Sequence, residues 1–375
     1  MDSSHSFAEL VQAYFDCRRL KRNTASALRF EMNLERNLAQ LDDELRSGYY
    51  RPGRSICFVI THPKPREVWA ADFRDRVVHH LLYNKIAPRF LAGFIADSCA
   101  CIPGRGTLYA AQRLESKVRS VTQNWSRPAM YLKADLANFF VSIDKRSLWL
   151  RVGGKIPENW WRRLAAQILF HDPRPDVEVR GNPATLALVP KHKRLREAPD
   201  HCGLPIGNLS SQFFANILLD GLDKHVKHRL RGRHYVRYVD DFVLLHPSAQ
   251  WLGEALASIN SYLPRLGLEL NPRKTIIQPI DRGVDFAGHV IKPWRREVRR
   301  RSVRTALRRI EELPQEKVFE TGNSYLGLLL HADGYHDSAL IANAMRKRGH
   351  SVSASLTKAY RLPQAHGDQH GKRDP

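Results

Sequence analysis

The sequence contains few cysteines, no long apolar segment and comparatively few acidic residues. Its five cysteines are odd in number and lack the paired spacing of zinc ligands, so free, buried thiols in a reducing compartment are expected. A metal site at Cys99 and Cys101 is disfavoured for the same reason. No run of about 18 apolar residues is present, and residues 1–7 lack the basic start and apolar centre of a signal peptide. These absences predict a cytoplasmic, globular protein without a membrane segment.

The shortage of acidic residues gives the chain a strongly basic charge. Its 375 residues include 60 Lys and Arg but only 38 Asp and Glu, which gives a formal net charge of +22. An excess of this size indicates a polyanionic partner, and nucleic acid is the usual one. A membrane surface is the weaker candidate, because the basic residues are spread along the chain and are not gathered on one amphipathic anchor.

Two adjacent carboxylates, Asp240 and Asp241, interrupt the β-branched and aromatic segment formed by residues 235–245. Such a segment favours strands whereas an Asp pair favours a turn, so the pattern predicts a hairpin with the acids at its tip. Neighbouring carboxylates repel unless a cation lies between them, and Mg²⁺ is commonly held by carboxylates together with substrate phosphates. The alternative is a surface hairpin in which the Asp pair merely ends a strand.

A third acid, Asp135, closes a short apolar strand that begins at Met130. If this strand neighbours the hairpin, the three acids can share two divalent ions, as two-metal phosphoryl-transfer sites do. A helix N-cap is the alternative role for Asp135. Phe139 and Phe140 follow Asp135. The hairpin at 238–241 resembles that of the reverse transcriptase palm, and this resemblance implies that Phe140 lies beside an incoming nucleotide, where its bulk would exclude a ribose 2′-hydroxyl. Core packing is the alternative for Phe139.

The remaining segments alternate between periodic and irregular sequence. Apolar spacing predicts helices from residue 6 to about residue 50 and over residues 71–82, whereas Pro-rich, basic residues predict an inserted loop at 171–204. A glycine-bearing turn at 203–207 leads into an apolar helix. Residues 292–309 contain nine Lys or Arg and one acid along a helical apolar stripe, which favours contact with a phosphate backbone.

Taken in chain order, these motifs resemble a bacterial reverse transcriptase over roughly residues 50–345. Residues 63–66 with 75–76 are similar to the fingers motif that grips a nucleoside triphosphate, and residues 284–291 are similar to the primer grip. The implied catalytic residues, of which the three acids are also the metal ligands, are Asp135, Asp240, Asp241 and the candidate general acid Lys274. The implied substrate-binding residues are Lys64, Arg66, Arg76, Phe140, Ile206, Gly207 and Gln212. The implied nucleic-acid-binding residues are Arg299, Arg300, Arg301, Arg304 and Arg308.

The resemblance implies an α+β fold arranged as a right-hand polymerase, with fingers, a palm containing an antiparallel sheet, and a helical thumb. The expected order is an N-terminal helical extension (1–50), fingers (51–128), palm (129–290, with the inserted loop 171–204), thumb (291–345) and a mostly disordered tail (346–375). The implied cofactors are two Mg²⁺ ions, with Mn²⁺ as the alternative. The implied partners are template RNA, a cDNA or primer, dNTPs and a basic accessory protein, with no membrane.

Residues 204–212 indicate a subfamily. Most reverse transcriptases carry Gln-Gly where this chain has Ile206-Gly207, and Ser-Pro where it has Ser211-Gln212. The variants found here are similar to those of diversity-generating retroelements, which copy a template RNA into mutagenised cDNA. An apolar Ile206 removes a hydrogen bond near the incoming nucleotide, which would loosen the geometric check on base pairing.

The expected activity is therefore RNA-directed DNA synthesis by two-metal nucleotidyl transfer. Three alternatives remain: a defence-associated bacterial reverse transcriptase, a catalytically silent RNA-binding scaffold of the same fold, and an intron-type maturase. Intact acids at all three positions argue against the scaffold. Residues after 345 do not resemble a maturase or endonuclease module, and we expect no ribonuclease H domain.

Overall fold

The computed structural model describes residues 4–19, 24–62 and 64–361. Pro63 of the predicted fingers motif and residues 362–375 of the predicted tail lie outside the described residues. The chain divides into two compact units. The first consists of Met1–Ala110 and Met130–Ile277, and the second of Ala111–Ala129 and Gln278–Pro375. The change at residue 278 precedes the palm–thumb boundary predicted at residue 290.

Helices and short strands alternate along the described part of the chain. The helices are α1 (Phe7–Arg18), α2 (Ala25–Glu31), α3 (Leu34–Ser47), α4 (Phe73–Leu91), α5 (Thr107–Val121), α6 (Phe139–Ser142), α7 (Lys145–Gly153), α8 (Asn159–Phe170), α9 (Pro183–Ala187), α10 (Leu209–Lys224), α11 (Ala249–Tyr262), α12 (Arg300–Glu312), α13 (Gln315–Leu329) and α14 (Tyr335–Lys347). The strands are β1 (Ser55–Ile60), β2 (Arg66–Ala70), β3 (Met130–Asp135), β4 (Val177–Val179), β5 (His234–Tyr238), β6 (Asp241–His246), β7 (Ile276–Pro279), β8 (Val284–Phe286), β9 (His289–Lys292), β10 (Arg295–Val298), β11 (His350–Val352) and β12 (Ala359–Arg361).

A four-stranded sheet in the order β5-β6-β3-β7 organises the first unit. Both β3 and β5 pair antiparallel with β6. Leu132, Tyr235 and Phe242 lie in the main hydrophobic core, which also contains most of α10. Because successive strand residues point to opposite faces, Asp135 and Asp241 lie on the face away from that core. The predicted α+β fold with an antiparallel central sheet is confirmed.

The predicted N-terminal helical extension is part of the first unit. Ser6 caps α1, since its side chain accepts from the Glu9 backbone N–H while the Glu9 carboxylate accepts from the Ser6 backbone N–H. The apolar side of α1, which includes Leu10 and Tyr14, is buried, and α1 packs against α4. This burial joins the extension to the same core that supports the central sheet.

The predicted inserted loop, residues 171–204, contains regular structure. Its strand β4 pairs parallel with β1, which also pairs antiparallel with β2, so the three strands form one sheet. The short helix α9 follows, capped by the side chain of Asn182. The prediction of an irregular loop is therefore corrected: Val177 and Val179 are β-branched, and the edge of β1 provides backbone partners for them.

The second unit contains a three-stranded sheet, three helices and a C-terminal hairpin. The sheet has the order β10-β9-β8, and α12, α13 and α14 pack on one another around Val303, Leu326 and Met345. Residues 295–298, which lie in the predicted basic helical segment, form β10 instead. Residues 346–361 belonged to the predicted disordered tail, but they include the antiparallel pair β11–β12. The hairpin is ordered because Ala359 is fully buried in the core of this unit.

All five cysteines are free thiols, as expected. Cys17, Cys57 and Cys99 are buried, whereas Cys101 and Cys202 are partly exposed. Within residues 4–19, 24–62 and 64–361, no helix combines the length and apolar character that crossing a membrane requires.

Candidate active site

The acid pair closes the hairpin between β5 and β6. Tyr238 pairs with Asp241, which leaves Val239 and Asp240 as a two-residue turn. Val239 adopts φ +56°, a left-handed conformation that is rare for a β-branched residue. A tight hairpin needs positive φ at its first central residue to match the twist of the flanking strands. The turn thus holds Asp240 in a strained loop and Asp241 at the first position of a strand.

Asp135 lies directly opposite Asp241 in the register of β3 and β6. Directly opposed residues of an antiparallel pair have Cβ atoms about 4.5–5.5 Å apart. The strand also continues past Asp135 toward the turn, since the Leu136 N–H donates to the Asp240 carbonyl at 3.1 Å. Three carboxylates therefore meet at one end of the sheet.

The Asp240 carboxyl lies in an unfavourable environment for a negative charge. Burial raises its pKa above the ordinary value for aspartate, and the negative charge of Asp135 raises it further. The positive charges of Lys274 and Arg66 act in the opposite direction. The net effect is a raised pKa, so the nearby positive charges do not fully offset burial and the Asp135 charge.

Two lysines contact the other two acids. Lys274 Nζ lies 2.6 Å from Asp135 Oδ1, and Lys133 Nζ lies 3.5 Å from Asp241 Oδ2. Lys274 is held by a short 3₁₀ turn in which the Asn271 N–H donates to the Asp135 carbonyl at 2.8 Å. The turn that positions the lysine is thereby attached to the strand that positions its partner. Lys133 was not predicted as a site residue, although its position two residues before Asp135 puts it on the same face of β3.

The donor set fits a divalent cation. Three carboxylates supply only oxygen ligands, which magnesium and manganese prefer. A cation beside Asp240 would offset the burial and the Asp135 charge that raise the pKa of its carboxyl. Asp135, Asp240 and Asp241 are therefore the residues that would hold the metal predicted for this site.

The basic residues predicted to hold the triphosphate, which lie in and near the β1–β2 region, differ in their surroundings. Arg66 is the exposed first residue of β2, and its charge acts on Asp240. Lys64 lies exposed in the loop just before it. Arg76 lies in α4, where its Nε donates to the Ala71 carbonyl at 2.8 Å and burial lowers its guanidinium pKa. The charge of Arg66 thus acts on the acid cluster, whereas Arg76 is hydrogen-bonded to the backbone before α4.

The turn at residues 203–207 is attached to β2. The Trp69 N–H donates to the Ile206 carbonyl at 2.7 Å, and the Asn208 side chain bonds the Ala71 N–H and the Trp69 carbonyl. Gly207 has φ +123°, and a Cβ there would lie 2.8 Å from a methyl of Val68. Only glycine fits this close approach. The predicted contact residue Gly207 therefore has a packing role against β2.

Two other predicted substrate contacts flank this turn. Phe139 is buried in the core, whereas Phe140 is half-buried and packs against it. The carbonyl of Phe140 accepts from the Leu204 N–H at 2.8 Å, which ties this aromatic pair to the 203–207 turn. Gln212 is half-buried in the first turn of α10.

The predicted nucleic-acid contacts separate into two kinds. Arg300, Arg301, Arg304 and Arg308 are exposed on α12, opposite its buried apolar stripe. Arg299 is largely buried and forms an ion pair with Asp285 of β8. The Arg299 side chain joins β8 to the start of α12 within the second unit, and its contact with nucleic acid stays a prediction.

Comparison with known proteins shows the family to which the chain belongs. The profile of the family described as reverse transcriptase (RNA-dependent DNA polymerase) matches residues 63–291, more than half of the chain. The family so described is a class of nucleic acid polymerases. The chain belongs to the reverse transcriptase family of RNA-directed DNA polymerases. No curated protein sequence matches the chain.

Solved telomerase structures are among the proteins to which the chain is similar. Apo telomerase from Candida tropicalis is 12% identical with a TM-score of 0.51, and the match covers 83% of this chain and 63% of that chain. Telomerase from Candida albicans, solved with a fragment of telomeric RNA, is 13% identical with a TM-score of 0.48, covering 78% and 56%. The chain thus spans less than two thirds of these telomerases. At such identity, the similarity to the Candida tropicalis enzyme shows the fold alone.

Proposed function

We propose that the protein copies a template RNA into cDNA with low fidelity, as diversity-generating retroelement enzymes do. The observation that carries the polymerase chemistry is the register of β3 and β6, which sets Asp135 opposite Asp241. The observation that supports low fidelity is the apolar Ile206, half-buried beside Gly207. The net charge of +22 supports a nucleic acid substrate.

The proposed reaction is nucleotidyl transfer to a primer. The primer 3′-hydroxyl loses its proton to solvent and its oxygen attacks the α-phosphorus of a dNTP. The bond from that phosphorus to the bridging oxygen breaks, and pyrophosphate leaves. Phosphoryl transfer of this kind depends on positioning and charge stabilisation more than on covalent catalysis. Arg66 and Lys64 lie at the start of β2, where they can hold the triphosphate.

Asp135, Asp240 and Asp241 would hold two Mg²⁺ ions, or Mn²⁺ in their place, which when bound supply charge for the 3′-oxygen and the phosphates. Lys274 is the proposed general acid for the departing pyrophosphate, because its ammonium group lies within the acid cluster and is partly exposed. Phe140 is the proposed gate against ribonucleotides.

A primer-extension assay on an RNA template tests the chemistry. Asp135→Asn, Asp240→Asn and Asp241→Asn each remove a proposed metal ligand and should abolish extension while the variants stay folded by circular dichroism. Asp281→Asn, an exposed acid in a 3₁₀ turn, is the matched control and should extend normally. Extension retained in any of the three variants would show that these acids are not the catalytic centre.

Sequencing of the cDNA tests the fidelity proposal separately. Ile206→Gln restores a polar side chain near the incoming nucleotide and should lower the misincorporation frequency several-fold. Ile206→Leu keeps the site apolar and should leave that frequency near the wild-type value. Equal error frequencies in all three proteins would remove Ile206 as a cause of low fidelity without affecting the polymerase assignment.

A further inference from the structure

Arg237 is a fully buried arginine in the middle of the strand that leads to the acid turn. It is 1% exposed and lies in β5, two residues before Val239. Arg237 pairs with Phe242 of β6, and Phe242 is a core residue. The Arg237 side chain therefore projects to the core face of the sheet, opposite to the face of Asp135 and Asp241. Charged side chains are almost never this buried unless they are fully paired.

Every N–H of the Arg237 guanidinium has a partner. Nε and one terminal nitrogen donate to the two oxygens of Asp223, each at 2.7 Å, and that nitrogen also donates to the Ser98 hydroxyl at 2.8 Å. The other terminal nitrogen donates to Asn216 Oδ1 at 3.2 Å and to the Val239 carbonyl at 2.9 Å. These contacts account for all five donors of an arginine.

The bond to Val239 attaches this buried network to the acid turn. Val239 has positive φ, a conformation that costs about 1–3 kcal/mol and persists only where the surroundings hold it. Its carbonyl belongs to the peptide that links it to Asp240. The guanidinium therefore fixes the orientation of the peptide from which the Asp240 side chain projects.

The other end of the network is anchored in the fold. Asp223 and Asn216 are buried residues of α10, and Asn216 also donates to the Ala100 carbonyl at 2.8 Å. The backbone of Arg237 bonds residues 97–99 on both sides: its N–H donates to the Asp97 carbonyl and its carbonyl accepts from the Cys99 N–H, each at 2.9 Å. Arg237 is thus held by α10 and by the loop at 97–99, neither of which carries Asp135, Asp240 or Asp241.

We propose that Arg237 is a positioning residue that holds the Val239–Asp240 turn from behind the sheet and so sets the metal-binding geometry of Asp240. The inference rests on the proposed role of the three acids. It goes beyond that role, because it assigns the orientation of one acid to a residue that touches neither substrate nor metal. Outer groups that orient metal ligands typically contribute 10- to 100-fold to metal affinity or activity.

Lysine cannot replace arginine in this position. Its single ammonium nitrogen could remain beside Asp223, but it lacks the planar fork that reaches the aspartate and the Val239 carbonyl together. Arg237→Lys therefore keeps the buried positive charge and removes the bond to the turn. Tyr235→Phe is the matched control. It removes a hydrogen bond of 2.9 Å to Asp223 Oδ1, the oxygen that also accepts from Arg237 Nε, and leaves the bond from Arg237 to Val239 in place.

Two readouts test the proposal. The first is primer extension as a function of Mg²⁺ concentration: Arg237→Lys should raise the half-saturating concentration and lower the saturated rate by about 10- to 100-fold. The second is amide hydrogen exchange of residues 130–140 in metal-free buffer, which covers the Leu136 N–H that bonds the Asp240 carbonyl. Exchange should be faster in Arg237→Lys and unchanged in Tyr235→Phe.

The outcomes separate this proposal from the proposed function. Wild-type Mg²⁺ dependence and exchange in Arg237→Lys would overturn the role of Arg237, while an inactive Asp135→Asn would leave the polymerase assignment standing. If Arg237→Lys does not fold, Asn216→Ser is the second variant. It removes one of the two bonds of the terminal nitrogen that donates to the Val239 carbonyl, while the ion pair of Arg237 with Asp223 remains. It should shift both readouts in the same direction by a smaller amount, and readouts equal to those of Tyr235→Phe would overturn the proposal.

Discussion

The ammonium nitrogen of Lys274 lies 2.6 Å from Oδ1 of Asp135, within the same acid cluster that is proposed to bind metal. The contact joins a proposed proton donor to a proposed metal ligand. A cation that binds Asp135 must therefore compete with a protein side chain for the same oxygen.

Replacement of Lys274 should slow the reaction and at the same time strengthen Mg²⁺ binding. Lys274→Met removes the proposed general acid, so the rate at saturating Mg²⁺ should fall by about 10²-fold or more. The half-saturating Mg²⁺ concentration should fall as well, because no ammonium group competes for Asp135. Rapid-quench primer extension measures both quantities, with Arg273→Met, an exposed neighbour on the same turn, as control. A higher Mg²⁺ requirement in Lys274→Met would contradict the competition.

Neutralising Asp240 should stabilise the metal-free protein. The pKa of this carboxyl is raised by burial and by Asp135, so its ionised form is disfavoured in the folded state. Asp240→Asn removes that charge and should raise the free energy of unfolding by about 1 kcal/mol, a stability gain often found when an active-site strain is removed. Urea unfolding at neutral pH in the presence of EDTA measures the change. A clear loss of stability would show that the charge is not a cost.

His79 should make the fold less stable as the pH falls. Burial, with smaller contributions from His80, Arg76 and His171, lowers its pKa from 6.5 to about 3. The unfolded chain therefore takes up a proton before the folded protein does, so stability is full above pH 6.5 and is lost as the pH falls toward 3. At pH 5 this one group should lower the free energy of unfolding by about 2 kcal/mol.

The matched comparison for His79 uses a neutral replacement. His79→Asn should flatten the pH dependence of urea unfolding between pH 7.5 and 5, whereas the exposed His62→Asn should leave it unchanged. The same slope in His79→Asn and the wild type would mean that other groups cause the acid sensitivity.

The exposed arginines of α12 should contribute salt-dependent RNA binding. Each phosphate contact on single-stranded nucleic acid adds about 0.7 to the slope of log affinity against log salt. Replacing Arg300, Arg301, Arg304 and Arg308 by Gln should therefore reduce the slope, measured by fluorescence anisotropy at several KCl concentrations. Arg299→Gln should instead lower thermal stability with little change in slope, because Arg299 is paired with Asp285. An unchanged slope in the fourfold variant would exclude α12 as a nucleic-acid surface.

Local sequence pattern predicted the parts of the site that strand geometry controls. The apolar flanks of Asp240 and Asp241 favoured strands. One face of the sheet is buried, so the strands can pair in only one register: a slip of one residue would turn the Asp241 side chain into the core. The same constraint places Asp135 opposite it. The fold class and the reverse transcriptase family are confirmed, whereas the retroelement role, the metal identity and the substrate contacts stay predictions.

Features that depend on distant partners could not be predicted. β4 is a strand only because β1, more than a hundred residues earlier, offers an edge. The ion pair between Arg299 and Asp285 had no signal in the sequence, because the two residues belong to different elements. Arg237 did carry a signal, a charge at a position whose alternating neighbours are apolar, but its partners on α10 and at Ser98 come together only in the folded chain.

Hydrogen bonds from residues 206 and 208 connect the 203–207 turn to the strand β2 and its end. Arg66 lies at the start of that strand, so these bonds connect the residue proposed to hold the triphosphate with Ile206, the residue proposed to affect fidelity. A substitution in β2 that is remote from the base is therefore expected to alter the error rate.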